Sequence, residues 1–274
     1  MWTEFEFYNI DNKSNQNILI AKLSDIGFDS FNESEVSKLK AYILTKNVTE
    51  SFLEDLKIAT YYKFKFSSLK NQNWNHLWES NFKPILIQNK CFIRAPFHQK
   101  IDGKIDVIIN PKMAFGTGHH ETTRMMVAEL LNLNFIPNKI LDVGCGTGIL
   151  SIISEKIWNN DIVACDIDDW SIKNTNENIS LNNCSKIKLI HGNIDSCNKY
   201  AKYDLILANI NTNVLIEEFD SYLKLLDLNG VLILSGFLEL DYIKIIDKAR
   251  KSGLSLISKK VENKWNCIAL KKNI

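Results

Sequence analysis

The residues best suited to chemistry lie in one run, Asp142-Val143-Gly144-Cys145-Gly146-Thr147-Gly148, which follows the apolar pair Ile140-Leu141. Glycines at alternate positions let a backbone turn sharply and approach a ligand closely, with the amides of a following helix pointing inward. A pyrophosphate-binding turn would space them G-x-G-x-x-G. Here the spacing is G-x-G-x-G, with an acid just before it. Asp142 would repel a pyrophosphate, but it suits the positively charged end of an aminoacyl sulfonium cofactor. Asp142, Gly144, Gly146 and Gly148 are therefore candidate ligand contacts. A glycine turn with no ligand is the plainer alternative.

Three further positions extend this pattern. Asp166 ends the next apolar run, at the distance from the glycines where a carboxylate can accept both ribose hydroxyls; an aspartate there also serves as a helix cap. Asn193 and Asp195 follow a third run, on the side where an adenine ring would lie, although both are ordinary turn residues. Asn209-Ile210-Asn211 follows a fourth. The Asn209 amide could hydrogen-bond an incoming amine without adding charge, which makes it the candidate catalytic residue; a strand-end turn is the alternative.

Upstream, Ala114-Phe115-Gly116-Thr117-Gly118-His119-His120-Glu121-Thr122-Thr123 reads as a glycine-hinged loop over the pocket, leading into a helix that runs to Leu131. His119-His120-Glu121 invites a metal. Adjacent histidines point in different directions, and no H-E-x-x-H spacing occurs, so no metal is expected.

Positioning these groups requires a parallel sheet. From Lys139 onward, short apolar runs at 140–143, 162–166, 187–190, 204–208 and 231–234 alternate with helical spacing at 149–158, 170–181 and 242–251, and a strand pair is expected at 254–260 and 266–271. Such alternation specifies a doubly wound α/β domain that binds ligands at the carboxyl ends of its strands. Before it, strands are expected at 85–93 and 104–109, with Asp102-Gly103 as a turn between them. The first 68 residues read strand, helix, strand, strand, helix, strand, the ferredoxin-like α+β pattern. Trp74, Leu77, Trp78 and Phe82 suggest a linker helix ended by Pro84. The expected division is 1–68, a linker at 69–84, and a ligand-binding domain at 85–274.

Composition narrows the class. Hydrophobic residues make up 45% of the 274, enough for two cores, and the formal net charge is +1 with Lys and Arg dispersed. That balance speaks against a strongly electrostatic nucleic-acid binder. No apolar run approaches the ~20 residues that span a bilayer. Glu4 and Glu6 do not suit a signal peptide, so a cytoplasmic chain is expected. Six cysteines with no C-x-x-C pair read as free thiols in a reducing compartment.

The run from Asn110-Pro111 to Thr122-Thr123, with Phe115-Gly116-Thr117-Gly118 inside it, resembles the bacterial methyltransferases that modify large-subunit ribosomal protein L-eleven. So do the segment Trp74 to Pro84, the glycine loop and Ala208-Asn209-Ile210. Where family members often carry Thr-His-Pro, this chain has His119-His120-Glu121. The resemblance covers residues 74–274 well and the first ~70 only by size and pattern. It implies a seven-stranded class I methyltransferase domain of Rossmann-like form, and S-adenosylmethionine as methyl donor. Cofactor contacts are implied for Thr123, Gly144, Asp166 and Asn209, and Phe115, Thr117 and Asn193 are further candidates for cofactor binding. It implies transfer to lysine side chains and the N-terminal amine of that ribosomal protein, recognised by the N-terminal domain, by a monomer needing no nucleic acid or membrane. The alternative is an RNA methyltransferase on the same catalytic domain, with Tyr62, Phe64 and Phe66 stacking on bases.

Overall fold

Period-two alternation near the N-terminus builds a sheet with one buried face. The computed structural model describes residues 2–28, 30–35, 37–68, 82–110, 114–198 and 202–273, and the chain falls into two units, Met1–Ser80 and Asn81–Ile274. In the first, β1 (Trp2–Tyr8), α1 (Lys13–Asp25), β2 (Ser30–Glu35), β3 (Lys38–Leu44), α2 (Glu50–Ala59) and β4 (Phe64–Ser68) follow in order. The sheet runs β2-β3-β1-β4, with every pairing antiparallel. Side-chain oxygens of Asn12 and Thr49 accept the first free amides of the two helices. Phe5, Phe7, Leu39, Ala41 and Ile43 are fully buried beneath Leu19, Leu23 and Leu56. Phe64 is partly buried against this layer, whereas Phe66 is 47% exposed. Both pack on Phe5, with ring centroids 5.7 and 4.9 Å away. Phe64 thus serves the core face of the strand, and Phe66 stacks on Phe5 while keeping half its surface open. The expected linker helix lies outside the described residues, apart from 82–84.

The second unit opens with a three-stranded sheet: β5 (Ile85–Ile87), β6 (Cys91–Arg94) and β7 (Ile105–Ile108). The single strand expected at 85–93 is split, because Gln88 and Asn89 take positive φ and turn the chain into an antiparallel hairpin. Beyond the Asp102-Gly103 turn, β7 pairs parallel to β6.

The main sheet has seven strands in the order β10-β9-β8-β11-β12-β14-β13. They are β8 (Lys139–Val143), β9 (Asp161–Asp166), β10 (Ile187–His191), β11 (Tyr203–Asn209), β12 (Leu226–Leu238), β13 (Leu254–Glu262) and β14 (Trp265–Lys272). The first five are parallel neighbours, and β14 runs antiparallel between β12 and β13. Helices α3 (Glu121–Leu130), α4 (Ile149–Trp158), α5 (Asp169–Leu181), α6 (Thr212–Glu217), α7 (Phe219–Leu225) and α8 (Glu239–Lys251) connect them. Successive β11 residues feed opposite cores: Leu205 and Leu207 pack with Met126 and Ile153, whereas Ile206 and Ala208 pack with Tyr222 and Phe237. Burial on both faces is why these strands read as continuous apolar runs. Two corrections concern length. β12 extends well past the expected 231–234, because pairing with β11 and β14 continues beyond its apolar segment. Helices α6 and α7 occupy a stretch where no helix was expected; each is under two full turns, too short to show periodicity.

Candidate active site

The strand order reverses between β8 and β11, so a crevice opens at their carboxyl ends. The glycine loop leaves β8 there. Gly144 and Gly146 have φ of 69° and 57°, in the left-handed region. A Cβ on Gly146 would run into the Phe115 carbonyl oxygen, and one on Gly144 into the Ile210 side chain. That close approach joins two distant segments. Thr147 N donates to Phe115 O at 2.9 Å, and Thr147 Oγ1 to Gly116 O at 2.5 Å. The Phe-Gly-Thr-Gly loop is thereby fastened to the glycine turn.

Asp166 faces the same space from the end of β9. Its Oδ2 accepts from Gly146 N at 2.9 Å, and its Oδ1 from Asp168 N at 3.0 Å. The cap of α5 falls instead to Asp168, which accepts from Ser171 N and Oγ. Asn209, at the end of β11, donates from Nδ2 to Thr123 Oγ1 at 3.4 Å, while its buried Oδ1 has no hydrogen-bond partner among the described residues.

These groups surround a pocket of about 410 Å³. Of the residues singled out in the sequence, Phe115, Gly144, Gly146, Asp166, Asn193 and Asn209 line it. Thr123 stands behind Asn209, fully buried. Gly148 begins α4 and packs against Thr175. Thr117 turns to His119, its Oγ1 3.3 Å from Nδ1. Asp142 is buried beneath the loop, where its Oδ2 accepts from Ser151 Oγ at 2.6 Å and Ser151 N at 3.1 Å. Burial pushes its carboxyl up to about 6, against the pull of those two bonds.

Three lining residues were not anticipated in this role. His120 and Trp265 form an aromatic wall, their rings 4.9 Å apart and edge to face, with Phe115 5.2 Å from His120. Trp265 is the first residue of β14, 145 positions from His120, and no local spacing could connect them. Glu218, between α6 and α7, lines the pocket beside Asn193. Its Oε2 accepts from Tyr222 Oη at 2.9 Å, and burial raises its carboxyl.

The His119-His120-Glu121 run does not converge on one point. His119 Nε2 lies 3.0 Å from Lys83 O, His120 Nδ1 2.8 Å from Thr122 Oγ1, and Glu121 accepts from Asn263 at 2.8 Å. Arg124 contacts the His119 carbonyl, Glu121 and Glu262. The run thus anchors the loop to the β13–β14 turn. Among the described residues, no three His, Cys, Asp or Glu side chains are grouped to hold a metal ion.

A large mixed α/β sheet, an acid-glycine turn after its central strand, a carboxylate after the next and an asparagine after β11, all around one crevice, define an α/β methyltransferase. Comparison with known proteins then narrows the class. Residues 11–273 match the family model described as Ribosomal protein L11 methyltransferase (PrmA). The chain is 40% identical over 255 residues to the ribosomal protein L11 methyltransferase of Porphyromonas gingivalis, covering 90% of this chain and 88% of that one. It is 37% identical to the one from Bacteroides thetaiotaomicron, covering 92% of each. A crystal structure of ribosomal protein L11 methylase from Lactobacillus delbrueckii subsp. bulgaricus superimposes with a TM-score of 0.65 at 25% identity, over 70% of this chain and all of that one. The chain belongs to the ribosomal protein L11 methyltransferase family.

Proposed function

We propose that this protein transfers methyl groups from S-adenosylmethionine to amino groups of ribosomal protein L11, on lysine side chains and the N-terminal amine. Beside the family match, the observation that carries the reading is Asn209: an uncharged amide in the crevice, tied by Nδ2 to Thr123, with a buried carbonyl oxygen that has no hydrogen-bond partner among the described residues. An unpaired buried acceptor costs about 1–3 kcal/mol, and a donor N–H from an incoming amine relieves it.

The residues present fit the cofactor. The Gly144–Gly146 backbone, Asp166 and Asn193 would hold it, with Phe115 over it; Asp142, Thr117, Thr123 and Gly148 would support those contacts from behind. The cofactor supplies an activated methyl group on a sulfonium centre. The protein's task is alignment and exclusion of water. A lysine ammonium of pKa ~10.4 has no lone pair and must shed its proton. Entry past Phe115, His120 and Trp265 strips its water and disfavours the charged form, so no dedicated base is required. Asn209 Oδ1 orients the neutral amine.

The unit Met1–Ser80, of ferredoxin-like α+β class over residues 1–68, recognises the ribosomal protein, and residues 69–84 connect it to the seven-stranded class I domain at 85–274. The protein works in the cytoplasm as a monomer, without a metal, a membrane or a required nucleic acid. No helix among the described residues is long and apolar enough to cross a membrane.

The test is intact-mass spectrometry of unmethylated ribosomal protein L11 after incubation with this protein and S-adenosylmethionine. The expected result is mass increments in multiples of one methyl, with peptide mapping placing them on amines. No increment, with the cofactor still raising the melting temperature, would discard the substrate and keep the reaction class.

A further inference from the structure

The pocket wall includes an unexpected acid, Glu218. Folds of this kind offer the turn after β10 for contact with a nucleobase, and Asp195 is the acid on that turn. Here Asp195 is committed elsewhere: its Oδ1 accepts from Ser221 Oγ at 3.0 Å, and it does not line the pocket. Glu218 does, together with Asn193, Ile167 and Val214. Val214 lies one helical turn before Glu218, so an apolar side chain and a carboxylate from the same segment face the same cavity. Ile167 faces it from the turn after β9. Two aliphatic groups with a carboxylate beside them suit a flat, apolar ring that carries a hydrogen-bond donor on its edge.

The carboxylate is also held in place. The Tyr222 hydroxyl, on a fully buried ring, donates to Oε2 at 2.9 Å. A carboxylate has about four acceptor positions, so this bond holds one oxygen in place and leaves capacity toward the cavity.

We infer that Glu218 is a specificity-determining residue for the purine: its carboxylate accepts a hydrogen bond from the 6-amino group of adenine and discriminates against a 6-oxo purine. The inference rests on the S-adenosylmethionine reading of this pocket. The geometry favours an amino group at that edge because an oxo group would place two acceptors face to face.

Calorimetric titration of the full chain with S-adenosylhomocysteine and S-inosylhomocysteine tests it, beside Glu218→Gln and Tyr222→Phe. The wild type should bind the adenosyl compound at least about tenfold more tightly, the worth of one charge-assisted hydrogen bond against an unpaired acceptor. Glu218→Gln keeps an acceptor for Tyr222 and offers an amide donor to an oxo group, so the preference should fall to about threefold or reverse. Tyr222→Phe, which frees the carboxylate, should keep the direction of the preference at a reduced ratio. Equal affinities in the wild type, or an unchanged ratio in Glu218→Gln, would overturn the inference while leaving the cofactor reading intact. Equal weakening of both ligands in Glu218→Gln would reduce Glu218 to a structural anchor and overturn it too. Failure of the wild type to bind either compound would instead defeat the cofactor reading on which it rests.

Discussion

Asn209 and Thr123 are 86 positions apart in sequence, yet the Asn209 amide reaches the buried Thr123 hydroxyl at 3.4 Å. One residue ends β11 and the other belongs to the first turn of α3, so the contact couples the loop over the pocket to the sheet beneath it. It also fixes which way the Asn209 amide faces, leaving the carbonyl oxygen for the amine.

Asn209→Ala should therefore lower kcat by about 10²-fold or more, as for loss of one positioned hydrogen-bonding group, while cofactor affinity changes far less. Thr123→Val should give a milder loss, about fivefold, since it removes only the bond that orients the amide. Methyl-transfer kinetics on ribosomal protein L11 measure both. Wild-type turnover in Asn209→Ala would remove the assigned role.

Asp142 gives a pH dependence whose sign follows from its environment. Its carboxyl is pushed up to about 6 in the fold, against an ordinary 3.8, because burial disfavours the charged form. Between these values the folded protein holds a proton that the unfolded chain has lost, so stability falls as pH rises through this window. Above it the full cost, on the order of 3 kcal/mol, is present. Asp142→Asn should be more stable than wild type at pH 8, with little difference at pH 4. Urea unfolding of both proteins at the two pH values decides; parallel curves would show that Asp142 is not desolvated in the fold.

Gly146→Ala should abolish stabilisation by S-adenosylhomocysteine in a thermal melt, because the added methyl meets the Phe115 carbonyl and must separate the two loops. Gly253→Ala is the control. It has a φ of 76° and nothing within 4 Å of an added Cβ, so only the backbone cost of about 1 kcal/mol applies. Ligand stabilisation should survive there. Equal behaviour of the two variants would mean that the close approach at Gly146 does not matter.

Arg124→Ala cuts the loop's tie to Glu262 and to the His119 carbonyl. The pair is partly exposed, so thermal stability should change by no more than about 1 kcal/mol. The kinetic effect should be larger, a several-fold rise in KM for the protein substrate, because His120 and Trp265 lose a fixed spacing. Chelation offers a companion measurement. The His119, His120 and Glu121 side chains are bonded in different directions, and turnover should be unchanged by EDTA.

Much of this molecule was legible in its residues because the determining interactions are local. The glycine loop announces itself, since positive φ at Gly144 and Gly146 demands glycine whatever lies around it. The parallel strands were visible as apolar runs, because burial on both faces leaves no alternation to interpret. Where local rules compete, the reading failed. Nothing in the residue types of 85–93 outweighed a continuous strand, yet Gln88 and Asn89 break it. Helices α6 and α7 are too short for a period to emerge, and β12 runs past its apolar segment because β14 pairs with it through Ser235, Phe237 and Leu238.

The sequence alone determined the strand-and-turn grammar of the catalytic half, and with it Asp166, Asn193 and Asn209 at three strand ends around one glycine turn. Tertiary structure decided the rest: that Asp142 lies beneath the loop, that Trp265 faces His120, and that Glu218 rather than Asp195 enters the cavity. Turn geometry and strand patterning are set by each residue's own backbone and its nearest neighbours. The direction of a side chain at a pocket wall depends on packing between segments far apart in the chain, and that is fixed only when the two cores close.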